Sequence, residues 1–448
     1  MVEKKEKYSK NEILNIIKRE NVGAFQFQFS DILGRVKTIK VPAKQVEKVL
    51  ENGIYFDGSS VVGYSTIEES DMVAKPDLNT FIVLPDNSDS FKNAQMVCDI
   101  YTSDGARFQG DPRYILQKVM AKAEKKYGIF NIGPEYEFFL FKLSPEGVPT
   151  LTLDDRGTYF DFMPRSRAEA VKDRVAQWCN EVGFDIETYH HEVAPSQHEM
   201  DLVYGNAVEI ADKMLILKYF IRTAALEKGL FASFMPKPIA GMCGNGMHIH
   251  QSIMKKNGKN IFYDESKPNG LSDTALHYLG GLLEHASETC AIMNSSINSY
   301  KRLVPGYEAP VYISWAFQNR SALIRIPAAR GRGTRIELRN PDPAGNPYLQ
   351  FALALASGLD GIERKTDPGE HIESDIFSLS SEERKKAGIS NLPGSLISAL
   401  NEMKNSKLVY DTLGSPLMEH FNYIKEREWS EYRSEVTEWE IRNLLPTL

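Results

Sequence analysis

The sequence predicts an α+β protein of two units, a small one over residues 1–105 and a larger one over 106–448 that ends in a helical tail. Three observations carry the prediction. At 448 residues the chain is longer than one simple core serves. Short runs of alternating apolar and polar residues, the mark of strands, occur beside longer runs with helical spacing. A polar, glycine-containing stretch, TSDGARFQGDP (Thr102 to Pro112), separates the two units.

In the first unit, NEILNIIKRE (Asn11 to Glu20) has helical apolar spacing. AFQFQFS (Ala24 to Ser30) alternates, with Phe25, Phe27 and Phe29 on one strand face, and AQMVCDIY (Ala94 to Tyr101) alternates again. Pro42 opens a short helix. In the second unit, Asp111-Pro112 caps a helix running to about Lys126. Strands are expected near 131–142, 184–192, 246–253, 311–317, 322–327 and 334–339, and helices near 167–182, 207–228, 272–294 and 345–357. The tail from about 394 reads as helical and charged.

Composition is that of an ordinary globular chain, 42% hydrophobic and 25% charged. A net charge of -7 argues against a general nucleic-acid or membrane-surface binder. The longest apolar stretch, FALALASGL (Phe351 to Leu359), is about half of the ~20 residues that span a bilayer. MVEKKEKYSK lacks a signal-peptide core, so a cytoplasmic location is expected. Cys98, Cys179, Cys243 and Cys290 are far apart with no CxxC pair, so neither a disulfide framework nor a zinc site is suggested.

The chemistry concentrates in four places. In GPEYEFFLF (Gly133 to Phe141), Glu135 and Glu137 sit at i and i+2 of a predicted strand and share one face. HHEVAPSQHEMD places Glu192 and Glu199 on either side of a Pro-Ser loop. GNGMHIHQS puts His248 and His250 on one strand face, and RIELR holds Glu337 between arginines. If these strands form one sheet, the carboxylates and imidazoles converge. An oxygen-rich set with little nitrogen and no thiolate suits Mg2+ or Mn2+. A cation also offsets the repulsion between Glu135 and Glu137.

Between residues 302 and 339 lie seven arginines (302, 320, 325, 330, 332, 335 and 339), no lysine, and only Glu308 and Glu337 as acids. Arginine binds carboxylate and phosphate bidentately, so this segment predicts a multiply anionic ligand. Nucleic acid is the rival ligand, but no RNP-like aromatic pattern accompanies the arginines. Metal ligands beside phosphate-binding arginines imply nucleotide phosphoryl transfer. The chain carries neither a Walker A sequence nor the kinase H-R-D and D-F-G set.

At this point nine segments match a known family in order: FDGSS, EESDM, GPEYEF, HHEVAP, FMPKP, GMHIHQS, NSYKRLVPGYEAPV, NRSALIRIP and RIELRNPDPAGNPYL. They resemble bacterial and archaeal type I glutamine synthetases from about residue 24 to the C-terminus. The resemblance implies an N-terminal β-grasp domain and a larger catalytic domain with a curved, mainly antiparallel sheet and packed helices. It implies ATP-dependent ligation of ammonia to glutamate through γ-glutamyl phosphate, with two or more Mg2+ or Mn2+ ions in each site. It further implies a dodecamer of two hexameric rings with active sites between subunits. A PII-family protein is a candidate regulator.

Carried over by position, Glu137, Glu192 and Glu199 hold the ion nearer glutamate, and Glu135, His248 and Glu337 the ion nearer the nucleotide. His250, Tyr204, Ser252, Arg325, Arg332 and Arg335 lie at nucleotide-contacting positions, Tyr204 as the stacking aromatic. Arg302 and Arg339 match the clamp on glutamate, and Arg320 the residue facing the transferring phosphoryl group. Glu308 matches the flap, while Asp57 and Ser60 resemble an ammonium site given by the neighbouring subunit.

Three positions depart from the family pattern. CGNGMH places Cys243 and Gly244 where relatives carry a glutamate-contacting Asn-Gly, with Asn245 as the substitute. Phe377 stands where some relatives carry an adenylylated tyrosine, so that control is not expected. Thr66 replaces an arginine that other relatives use in glutamine feedback.

Overall fold

A computed structural model describes residues 8–64, 70–87, 91–374, 376–386 and 388–448. Thr66 lies outside the described residues.

Local chemistry starts the N-terminal unit as expected. Ser9 and Glu12 form a reciprocal capping box at the helix Lys10–Arg19. The strand Val22–Ser30 pairs antiparallel with Val36–Pro42 and parallel with Lys92–Thr102. Asp71–Pro76, Ile54–Asp57 and Ile82–Asn87 complete a six-stranded sheet. Phe25, Phe27 and Phe29 share the buried face with Met96, Cys98 and Ile100. Gln26 and Gln28 are buried too, so this strand is covered on both faces rather than half solvated.

The larger sheet has eleven strands, and its spine is Ile129–Leu143. Ile249–Met254 and Gln197–Leu202 flank it antiparallel, and Leu230–Ser233, Gly205–Asn206 and Pro149–Leu153 also pair with it. Beyond Ile249–Met254 lie Ile336–Leu338, Ala322–Arg325 and Tyr312–Ala316, mostly antiparallel. Even-numbered residues of the spine (Phe130, Ile132, Tyr136, Phe138, Leu140) enter the main core. Helices Pro112–Lys126 and Ala207–Glu227 pack on this strand. The alternation therefore sends Glu135 and Glu137 to the opposite face, away from the helices.

The strands and helices expected in the larger unit are present, but Pro149–Leu153, Gly205–Asn206 and Leu230–Ser233 are further strands. In the smaller unit Pro42 ends the strand Val36–Pro42 rather than opening the helix, which runs over Val46–Asn52. Residues 197–202, not among the expected strands, form one, because the hairpin turn after Glu192 re-enters the sheet. The long helix expected at 272–294 is broken at His285 into Asp273–Glu284 and Ala286–Met293. Asp111 caps Pro112–Lys126 as expected. Arg113 of that helix is buried and binds Asp77 and Asp99 of the first unit at 2.8 and 2.6 Å and Asp212 of the second at 2.8 Å. Removing either side of such a buried pair costs ~3–5 kcal/mol, so this residue fastens the two units. Among the described residues no helix is long and apolar enough to cross a membrane.

Candidate active site

Register places the acids. Gln197–Leu202 pairs Glu199 with Glu137 and Asp201 with Glu135, and on its other edge pairs Glu199 with His190. Ile249–Met254 brings His250 beside Gly133 and Glu337. One cleft is lined by Glu135, Glu137, Glu192, Glu199, His248 and Glu337 on the acidic side. Arg302, Arg320, Arg325, Arg339 and the loop residue Glu308 line its other side. A second pocket shares Glu135 with the first and is lined by Tyr204, His250, Ser252, Arg332 and Arg335. The convergence expected from sequence is present.

The acids fall into two groups. Around Glu135, His248 Nδ1 lies 2.6 Å from Oε2 and His250 Nε2 lies 2.7 Å from Oε1. Glu135, His250 and Glu337 present ligand atoms within 4.8 Å of one another. Burial pushes Glu135 up, but hydrogen bonds from both histidines outweigh it and hold the carboxyl well below its usual range. Burial likewise raises Glu337, and the charges of His250 and Arg339 reverse the shift. Arg325 Nη2 and Arg339 Nε stand 2.5 and 3.1 Å from Glu337.

The other group is His190, Glu192 and Glu199, again within 4.8 Å. Here the acids lack cations. Burial and Glu137 push the Glu192 carboxyl up to about 8. Burial and Asp201 carry Glu199 well above its ordinary value. Asp201 rises to about 7 from burial, against the Thr188 hydroxyl that donates to it. Glu137 lies between the groups: Oε2 accepts from Gln197 Nε2 and the Gly246 N–H, each at 2.9 Å, and Oε1 is 4.0 Å from His248 Nε2. Gly246 is required there, since a Cβ would meet Arg302 Nη2 at 2.7 Å. Buried carboxylates that hold protons at neutral pH fit a missing positive charge, and their oxygens fit a hard cation.

The arginines are ready for anions. Arg339 Nη1 and Arg325 Nε are buried with no hydrogen-bond partner among the described residues. Arg302 is buried and fixed by the Asn340 and Arg339 carbonyls at 2.8 and 3.1 Å. Arg335 Nε donates to His250 Nδ1 at 3.2 Å, which leaves His250 Nε2 to serve Glu135. Gly133 lets Tyr204 approach, since a Cβ would sit 3.3 Å from that of Tyr204. Glu308 adopts φ of 58° beside Gly306 at 91°, a strained turn at the cleft mouth.

Other residues of the matching motifs lie outside these two pockets. Asp57 and Ser60 are exposed on the N-terminal sheet edge and line neither pocket. Asp57 is held below its ordinary value by the Ser59 and Ser60 hydroxyls. Asn245 does not replace the glutamate contact: it is fully buried, its amide donates to the Ser233 and Met235 carbonyls, and Cys243 and Gly244 line the cleft instead. Phe377 packs its ring on Tyr312. Sequence reasoning missed His190, Asp201, Gln197 and Tyr159. His190 stands at i, i+2 from Glu192, the spacing that singled out Glu135 and Glu137.

Fold and site together define a two-part enzyme whose cleft sets clustered carboxylates against arginines. The chain belongs to the glutamine synthetase family: residues 109–444 match its catalytic domain and residues 21–103 its β-grasp domain. Glutamine synthetase of Methanosarcina mazei is 50% identical over all of both chains. That of Thermus thermophilus is 47% identical over 98% of this chain and 99% of its own. Among solved structures, a GmaS complex with ADP shares 33% identity at a TM-score of 0.88, over 97% of this chain and 99% of that one. Plasmodium falciparum glutamine synthetase shares the fold at 26% identity and a TM-score of 0.86, over 98% of this chain and 99% of that one. Membership makes this chain an ATP-dependent ligase of glutamine biosynthesis that uses divalent metal.

Proposed function

We propose that the chain joins ammonia to L-glutamate in nitrogen assimilation, cleaving ATP to ADP and phosphate, with the residue roles that follow. The single observation that carries the reading is the shared wall of the two pockets, where Glu135 faces both. A nucleotide in the pocket of Tyr204, Ser252, Arg332 and Arg335 directs its terminal phosphate past His250 into the arginine-lined cleft. Arg302 and Arg339 hold the glutamate carboxylates, the free Nη1 of Arg339 supplying one donor. The γ-carboxylate oxygen attacks the terminal phosphorus and ADP leaves, with Arg320 and Arg325 stabilising the moving charge. Ammonia then attacks the acyl carbon of γ-glutamyl phosphate and phosphate departs.

Two or more Mg2+ or Mn2+ ions, held by Glu137, Glu192 and Glu199 and by Glu135, His248 and Glu337, supply charge neutralisation between triphosphate and acids. Glu308, on its strained turn, closes over the intermediate and excludes water. Asp57 and Ser60 bind ammonium, and the Asp57 carboxylate accepts its proton. Their exposure on this chain supports a site completed between subunits, in a cytoplasmic dodecamer of two hexameric rings. The division into residues 1–105 and 106–448 follows the change of sheet. A phenylalanine at 377 leaves control to other means, a PII-family protein being one candidate.

Phosphate release with glutamate and ammonium, compared with glutamate and putrescine, tests the reading. Ammonium is expected to support turnover and putrescine not. A preference for putrescine overturns it.

A further inference from the structure

The hairpin that carries His190, Glu192 and Glu199 toward the cleft turns other side chains to its opposite face. His191 and His198 are cross-strand partners there, with ring centroids 4.7 Å apart. Asp155, just past the strand Pro149–Leu153, reaches both. Its Oδ1 lies 2.9 Å from His191 Nε2 and its Oδ2 lies 3.5 Å from His198 Nε2. Asp155, His191 and His198 are only 9, 2 and 0% exposed.

Hydrogen-bond accounting exposes a deficit. His191 Nδ1 stands 2.7 Å from the Glu192 carbonyl oxygen, so Nδ1 carries a proton and donates. Nε2 then faces Asp155 Oδ1, which already accepts from the backbone N–H of Ser196 and of Gly157 at 2.8 and 3.1 Å. Two lone pairs oppose each other unless a cation or a second proton lies between them. A second proton mends that contact alone. Among the described residues His198 Nδ1 has no hydrogen-bond partner, and its Nε2 and Asp155 Oδ2 face each other at 3.5 Å, too long for a good hydrogen bond; a buried orphan costs ~1–3 kcal/mol. Lys172, the cation whose charge is felt at both histidines, donates to Glu169 at 2.8 Å.

One bound cation satisfies His191, His198 and Asp155 together. Donor separations of 2.9 and 3.5 Å bracket the ~3.4 Å between ligands held about 2.1 Å from a tetrahedral zinc ion. Space beside His191 is kept open by Gly157, where a Cβ would come within 2.6 Å of Nε2. We infer that Asp155, His191 and His198 form a second metal site, behind the cleft, for one divalent transition ion of the zinc type. Two imidazoles and one carboxylate suit such an ion better than the oxygen-rich front cluster does. Its effect is to pin the hairpin and the loop bearing Tyr159 from behind.

The test uses the full chain without a polyhistidine tag, loaded with zinc under excess Mg2+ and desalted. Metal analysis is expected to find about one zinc per chain, a stoichiometric structural site. Glu337→Gln should retain it, whereas Asp155→Asn and His198→Gln should lose it. The zinc-edge absorption spectrum of the unsubstituted chain should show two imidazole ligands, a readout that needs no variant to fold. Absence of zinc, a spectrum with oxygen ligands alone, or loss of zinc with Glu337→Gln but not with His198→Gln overturns the site.

Discussion

The acids of the cleft lie within one sheet, yet its two groups solve the same electrostatic problem in opposite ways. Glu135 accepts hydrogen bonds from His248 and His250, and Glu337 is paired with the guanidinium groups of Arg325 and Arg339. Glu192 and Glu199 have burial and each other, and only His190 beside them, 3.0 Å from Glu199. The first group is therefore preorganised as anions whether or not an ion is bound. The second is neutralised by protons until a cation replaces them. Two clusters of like composition thus differ in what completes them, and that difference can be broken by substitution.

The largest effect is expected from Glu337→Ala. It strands two guanidinium groups in a buried wall, and uncompensated buried charge costs ~3–5 kcal/mol. Thermal unfolding of the metal-free protein should show the loss, and turnover should fall by at least ~100-fold, since each 1.36 kcal/mol of barrier is tenfold. Stability within experimental error of the parent would mean that the arginines do not depend on this carboxylate.

Neutral isosteres sharpen the contrast. Glu135→Gln keeps an acceptor for one histidine and sets an amide N–H against the other, and should destabilise the metal-free protein by ~1–3 kcal/mol. Glu192→Gln replaces a carboxyl that must take up a proton to fold at neutral pH, so the metal-free protein should unfold at a higher temperature than the parent. Calorimetric Mg2+ titration should nevertheless show weaker binding for Glu192→Gln. Equal destabilisation by both substitutions would erase the distinction between the groups.

Much of this was legible before any coordinates, for a physical reason. Strand alternation is local, so Glu135 with Glu137 and His248 with His250 could be placed on shared faces from spacing alone. Motif resemblance then assigned the arginines. Register is not local, and Asp201 became visible only as the cross-strand partner of Glu135. His190 and Glu192 both fall in the strand expected near 184–192, so their shared face was readable from spacing, whereas the pairing of His190 with Glu199 depends on register. Asp57 shows the other limit: an exposed carboxylate on the smaller sheet cannot meet this cleft within a single chain.

Titration of the metal-free protein separates the groups without mutation. Glu192 has an ordinary value of 4.5 and a folded value of about 8, so between these limits the native state binds more protons than the unfolded chain. Stability from this group therefore falls as pH rises through the window. Unfolding midpoints should decline across it, and saturating Mg2+, which displaces the proton, should flatten or reverse the slope. A metal-free slope that rises through the whole window would contradict the protonated state of this half.

The smallest effect belongs to Asp201, which faces Glu135 across the strand pair but belongs to neither group. Its carboxyl, raised from 3.8 to about 7 chiefly by burial, is protonated in the folded protein over most of that range. Asp201→Asn keeps the shape and an acceptor for the Thr188 hydroxyl. Below about 3.8 the substitution should leave the unfolding midpoint alone, because the parent carboxyl is protonated in both folded and unfolded states there, and the gap opens as pH rises from that point. Above about 7 the parent must carry a buried charge beside Glu135 and the variant need not, so the variant should unfold at the higher temperature. A variant less stable than the parent at high pH would show that Asp201 is a wanted anion, and that the histidine-paired half extends one strand further than its hydrogen bonds indicate.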